Sequence, residues 1–172
     1  MIMKLENENS FIRSIVFCLA VGAIFILSTG TSLCQDQKSL RFNDCKTYED
    51  TCLFIGQMFI NNLSEKKFEN LALLLSDNIV FRALIPSGLD SANKPSEAAS
   101  KFKKWFYVKD PGKYEVLDSK TEVMVDRLHI YYKIFRTYKG DSYNVEQQLY
   151  CEVAAGKIQK LSLLCSGFRK VI

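Results

Sequence analysis

The chain has 172 residues, 48% hydrophobic and 24% charged, enough for one globular domain with a buried core plus an appendage. Its 23 basic and 19 acidic side chains leave a formal net charge of +4 scattered along the sequence, without the block of one sign that a nucleic-acid surface needs. The one tight basic cluster, Lys101, Lys103 and Lys104 around Phe102, reads as a solvated helix face.

Ile15 to Leu27 is an unbroken apolar run, preceded by Arg13 and followed by Ser28-Thr29-Gly30-Thr31-Ser32. This is the pattern of an export signal, with Gly30 or Ser32 as the small residue before cleavage. Extended to Leu33, the run also reaches the lower end of the membrane-spanning range. Residues 1–33 are thus read as a signal peptide or membrane anchor, 34–46 as a polar linker, and 47–172 as the globular domain. The expected location is periplasmic or extracellular, or at a membrane held through residues 14–33. Cys34 stands where a lipoprotein cysteine would, although bulky Leu33 precedes it.

An exported chain implies an oxidising reading of the six cysteines. Setting aside Cys18 in the apolar run leaves an odd number, with Cys45 and Cys52 the easiest pair. No C-x-x-C occurs, and His129 is the only histidine, so no zinc spacing exists and no metal or other cofactor is expected.

In chain order, Leu53, Phe54, Ile55, Met58, Phe59 and Leu63 give a helical apolar stripe behind an Asp50-Thr51 cap. A second helix is expected from Ser64, with Phe68, Leu71, Ala72 and Leu75 on one side. Asn62-Leu63-Ser64 matches a glycosylation sequon, a pattern short enough to arise by chance. Asp77-Asn78 breaks that helix, and Ile79 to Ile85 is a strand ended by Pro86-Ser87-Gly88. A third helix opens at Pro95 with an aromatic side containing Phe102, Trp105 and Phe106. Asp110-Pro111-Gly112 then turns the chain.

From Tyr114 onward, breaks at Asp126-Arg127, Tyr138–Ser142 and Ala154–Lys157 divide four strands of one antiparallel sheet. Two-residue loops pair Val125 with Leu128, Lys139 with Ser142 and Ala154 with Lys157, and the period of two then fixes the faces. One face holds Leu128, Ile130, Tyr132, Ile134 and Arg136, with Leu149 and Gln147, and also Leu117, Glu115, Lys160, Ser162, Leu164 and Ser166. It is assigned to the core. The other carries His129 opposite Glu152, facing lysines at 120 and 133, and Tyr131, Tyr150, Phe135, Leu161 and Leu163 as a half-apolar patch suited to dimerisation. Cys151 and Cys165 fall on opposite faces, which excludes a bond between them.

Helix, helix, short strand, proline-bounded helix and long antiparallel sheet, ending in Gly156-Lys157-Ile158 and Leu163-Leu164-Cys165-Ser166-Gly167-Phe168-Arg169, resembles the nuclear transport factor 2-like superfamily, particularly its SnoaL-like branch. The resemblance covers about Thr47 to Val171. It implies an α+β fold of the NTF2-like (cystatin-like) type, a cone in which a curved antiparallel sheet wraps three helices around a pocket. Relatives include isomerases, dehydratases, epoxide hydrolases, cyclases and assembly scaffolds, so the fold does not choose a reaction.

The core face lacks the carboxylate that acid–base enzymes of this fold place in the pocket. Tyr132, Arg136, Gln147 and Ser166, joined by Arg82 if it points inward, are the candidate ligand-binding residues, with Arg136 as charge partner for an anionic or carbonyl-bearing molecule. No catalytic residue is assigned. The expected function is an exported pocket protein for a small apolar or anionic ligand. The alternative is a homodimeric assembly module of a membrane-associated complex. An isomerase, dehydratase or cyclase comes third and would need Asp77, Asp90 or Glu97 to project into the cone.

Overall fold

A computed structural model describes residues 45, 47–106 and 112–171. The signal or anchor segment, nearly all of the linker, and the Asp110-Pro111 turn lie outside these residues. Among the described residues no helix is long and apolar enough to cross a membrane.

Helix α1 spans Tyr48–Ser64 and is capped by Thr47 rather than by Asp50-Thr51. The Thr47 hydroxyl accepts from the Asp50 N–H and the Asp50 carboxylate from the Thr47 N–H, each at 3.0 Å, so both orphan donors are satisfied reciprocally. The buried side of α1 is Cys52, Ile55, Gly56, Phe59, Ile60 and Leu63, with Leu53, Phe54 and Met58 only partly covered. Asn62 is also buried and receives a hydrogen bond from Asn70 Nδ2 at 3.4 Å, which makes a glycan at the sequon incompatible with the packed helix.

The second helix is a 3-10 helix over Phe68–Leu74, without the expected Ser64 side-chain cap. Strand β1 follows at once, Leu75–Ile85, so the chain is already extended at Asp77-Asn78. β2 (Gly88–Ala92), unforeseen in the sequence, folds back on β1, and helix α2 then runs Pro95–Phe106. The four long strands are β3 (Tyr114–Met124), β4 (Arg127–Tyr138), β5 (Asp141–Ala154) and β6 (Lys157–Cys165), with a short β7 (Arg169–Lys170) on β5.

The curved sheet has the order β2-β1-β6-β5-β4-β3. β1 runs parallel to β6, so the sheet is mixed. The first two hairpins close at Met124–Arg127 and Tyr138–Asp141, two residues off the expected register, and an even shift leaves every face unchanged. The third closes at Ala154–Lys157 as expected, but a bulge beyond Ile158 pairs Glu152 with Lys160. That extra residue inverts the rest of β6: Leu161 and Leu163 are buried, while Lys160, Ser162 and Leu164 are exposed. Cys165 therefore shares the inner face with Cys151, four residues further along the ladder than its rung, and roughly 13 Å of strand separates them. A second bulge at Leu117 exposes Leu117 and Glu115 and turns Tyr114 and Val116 toward the core.

Leu161 and Leu163 are thereby lost from the outer patch expected to favour dimerisation. The core between the inner face and the helices is aromatic: Phe59, Phe68, Phe81, Phe102 and Tyr132 are fully buried, with Phe59 and Phe102 edge-on at 5.4 Å.

Candidate functional site

Tyr132 and Gln147 face each other across the β4–β5 ladder, both pointing inward. They are 0% and 2% exposed, so each polar atom needs a protein partner. The Tyr132 hydroxyl donates to Gln147 Oε1, and Gln147 Nε2 donates to Cys165 Sγ at 3.2 Å. The Gly167 N–H reaches the same sulfur at 3.4 Å. Burial holds the Tyr132 phenol well above its ordinary pKa, so the hydroxyl stays protonated and donating. This relay is closed on itself. It ties β4, β5 and the end of β6 together beneath the Phe59 and Phe106 rings, each 6.4 Å from Tyr132.

Arg136 stands on the same face of β4, four residues beyond Tyr132, where β4 pairs with Tyr143. It is half-buried. Its guanidinium carbon lies 3.7 Å from the centre of the Phe168 ring and 5.7 Å from that of Tyr138, and Nη1 donates to the Trp105 carbonyl oxygen at 3.1 Å. Among the described residues no carboxylate pairs with it, and its buried Nε–H has no acceptor. Burial lowers its pKa from the ordinary arginine value, the direction expected for a cation stripped of water.

The other two candidates lie elsewhere. Arg82 is exposed on the outer face, in register with Ser91 and Ser162. Ser166 is exposed too, because the β6 bulge reverses its side; its Oγ accepts the Glu146 N–H at 2.9 Å and stands in for a ladder bond where β6 ends. It lines a cleft of about 550 Å³ with Cys165 of the relay, the outward-facing Leu84, Glu146, Gln148 and Leu164, and the turn residue Pro86. The structure thus groups Tyr132 with Gln147, sets Arg136 apart toward the end of β4, and removes Ser166 and Arg82 from the inner face.

Among the described residues no acidic side chain enters the core from the helical half. Asp77 and Glu97 are exposed, and Asp90 is tied to Lys101 at 2.5 Å. His129 pairs across the outer face with Glu122 at 3.0 Å, not with Glu152, and stacks on Tyr150 at 4.8 Å. Among the described residues no group of histidine, cysteine and carboxylate side chains could hold a metal. The polar groups of this arrangement, the Tyr132 phenol, the Gln147 amide, the Cys165 thiol and the Arg136 guanidinium, are suited to hydrogen bonding and charge pairing.

Sequence reasoning missed Cys165 as a member of this arrangement. The signal was present: the alternation Leu161-x-Leu163-x-Cys165 marks its own buried side, whereas counting from the hairpin carried the face across an unseen bulge.

No protein-family model and no curated protein matches the sequence. Solved structures do match in shape. A proposed polyketide cyclase of Xanthomonas campestris pv. campestris superposes with a TM-score of 0.57 at 12% identity, covering 69% of this chain and 92% of that one. An LEH-like epoxide hydrolase of M. tuberculosis gives 0.54 at 12% identity over 70% and 86% of the two chains. An NTF2-like protein of unknown function from Mesorhizobium loti gives 0.53 at 14% identity over 72% and 97%. At such identities the likeness speaks for architecture alone. The sheet wrapped on three helices is the NTF2-like fold.

Proposed function

We propose that the domain is an exported binding module whose ligand is small, with an apolar body and a carboxylate or other anionic group that pairs with Arg136. The observation that carries this reading is the half-buried Arg136 guanidinium, held against Phe168 and the Trp105 carbonyl oxygen with no carboxylate beside it among the described residues. A cation partly removed from water is stabilised by an anion, and a planar guanidinium favours one that can accept two parallel hydrogen bonds. The Tyr132–Gln147–Cys165 relay supports the wall behind that position and does not touch the ligand, because its hydrogen bonds are already made internally. Export rests on the apolar run at Ile15–Leu27. The competing reading, assembly through the outer sheet face, is weakened by the inward turn of Leu161 and Leu163.

The test is native mass spectrometry of the protein purified gently from its own host, beside its Arg136→Gln and Arg136→Lys variants. A small acid carried by the wild type, lost from Arg136→Gln and reduced in Arg136→Lys, is the expected result. A wild-type protein that carries no ligand, or a ligand retained equally by Arg136→Gln, would sink the reading.

A further inference from the structure

Cys52 lies one turn after Tyr48 and one turn before Gly56 on α1, and both neighbours have fixed positions over the sheet. The Tyr48 hydroxyl donates to the Asp126 carbonyl oxygen at 2.8 Å, and the same residue lies beside Val153. A Cβ on Gly56 would sit 2.8 Å from Thr121 Cγ2 on β3 and 3.2 Å from Leu128 Cδ1 on β4, and Leu128 is the rung partner of Cys151. Cys52 thus lies between the Tyr48–Val153 contact and the Gly56–Leu128 contact, and it is near enough to Cys151, the inward residue on the Leu128 rung, for the two thiols to interact electrostatically. Both side chains are thiols in the structure, and both are 0% exposed. We propose that Cys52 and Cys151 become joined by a disulfide when the chain folds in an oxidising medium, fastening α1 to β5.

The chemistry needs a low-molecular-weight disulfide as oxidant. One cysteine thiolate attacks that reagent, forming a mixed disulfide and releasing one small thiol; the second cysteine then attacks the protein sulfur and releases the other. Each protein thiol loses a proton, and the two electrons reduce the reagent to two thiols. Burial pushes both protein thiols above their ordinary pKa, so in the closed core neither is a good nucleophile. The exchange therefore belongs to the stage before the core closes, and the finished bond is shielded from reductants afterwards. The link spans about a hundred residues of chain, so it restricts the unfolded state strongly. It is incompatible with a Cys45–Cys52 bond, the pairing that is easiest from the sequence.

The full chain, refolded in a mixture of oxidised and reduced glutathione, would be denatured, alkylated without reduction and digested. The expected result is a linked peptide pair containing Cys52 and Cys151, absent after dithiothreitol treatment, and a urea midpoint higher for the oxidised protein than for the reduced one. Recovery of both cysteines fully alkylated after oxidative refolding, or of either joined to a different cysteine, would overturn the proposal.

Discussion

Val125 occupies the β3–β4 turn at φ +60 with its side chain fully exposed, a conformation that a β-branched residue adopts only under strain. Nothing is gained from the valine side chain. Val125→Gly removes about 1–2 kcal/mol of left-handed strain and adds somewhat less than 1 kcal/mol of unfolded-chain entropy, for a net gain of roughly 0.5–1 kcal/mol. A raised urea midpoint at unchanged slope would show it. At Tyr132 the reasoning runs the other way. Tyr132→Phe leaves Gln147 Oε1 buried without its donor, and Gln147→Leu strands the Tyr132 hydroxyl, each costing about 1–3 kcal/mol. Removing both polar partners leaves no orphan on that pair, so the double variant should lose clearly less than the sum of the singles in a denaturation cycle. Additive losses would mean that the pair does not act as a unit.

At the scale of the elements, what could be read in advance was local. Pro95 opens α2 because its missing N–H falls where a helix needs none, and the glycines at 140 and 156, which take positive φ in two-residue turns, marked where two hairpins turn though only the second in its exact register. The inner residues of β4 and β5 followed from alternation alone. What escaped was set by distant parts of the chain. The parallel β1–β6 pairing joins segments far apart in sequence, and β2 is too short and polar to announce itself as a strand. The bulges at Leu117 and beyond Ile158 add one residue each, which no count from a turn can foresee, and they moved Ser166 out of the site and Cys165 into it. Gly56 shows how closely the elements approach. In a helix interior, glycine to alanine ordinarily gains up to about 1 kcal/mol. Here the new Cβ would stand 2.8 Å from Thr121 Cγ2 and 3.0 Å from Thr121 Cβ, so α1 or β3 must move. Gly56→Ala should therefore lower the urea midpoint, and Gly56→Ala combined with Thr121→Ser, which removes the nearer atom, should recover part of the loss.

The described residues of the domain divide into an interior and a surface of unlike chemistry, and this sets the response to acid. Its core is apolar and aromatic, while its charges are carried at the surface as lysine–carboxylate pairs: Lys160 with Glu152 at 2.9 Å, Lys120 with Glu122 at 2.5 Å, Lys170 with Asp141 at 2.8 Å, and Lys103 with Glu69 at 2.5 Å. In each pair the lysine hydrogen bond holds the carboxyl below its ordinary pKa, as Lys101 does for Asp90. A carboxyl whose folded pKa lies below its unfolded value binds protons more readily when the chain unfolds, so its contribution is fully present above the unfolded pKa and is lost as pH falls through the folded one. Since unfolded Asp and Glu titrate near about 4, the loss should begin below about pH 5 and grow toward pH 3. Because these pairs are solvent-exposed, each is weak and salt should screen it. Urea midpoints measured from pH 7 to pH 3 should stay level at first and then decline, and added sodium chloride should shrink the difference between the two ends. A midpoint that rises on acidification, or a decline that salt leaves untouched, would place the acid-sensitive groups in the interior and contradict the division between an uncharged core and a paired surface.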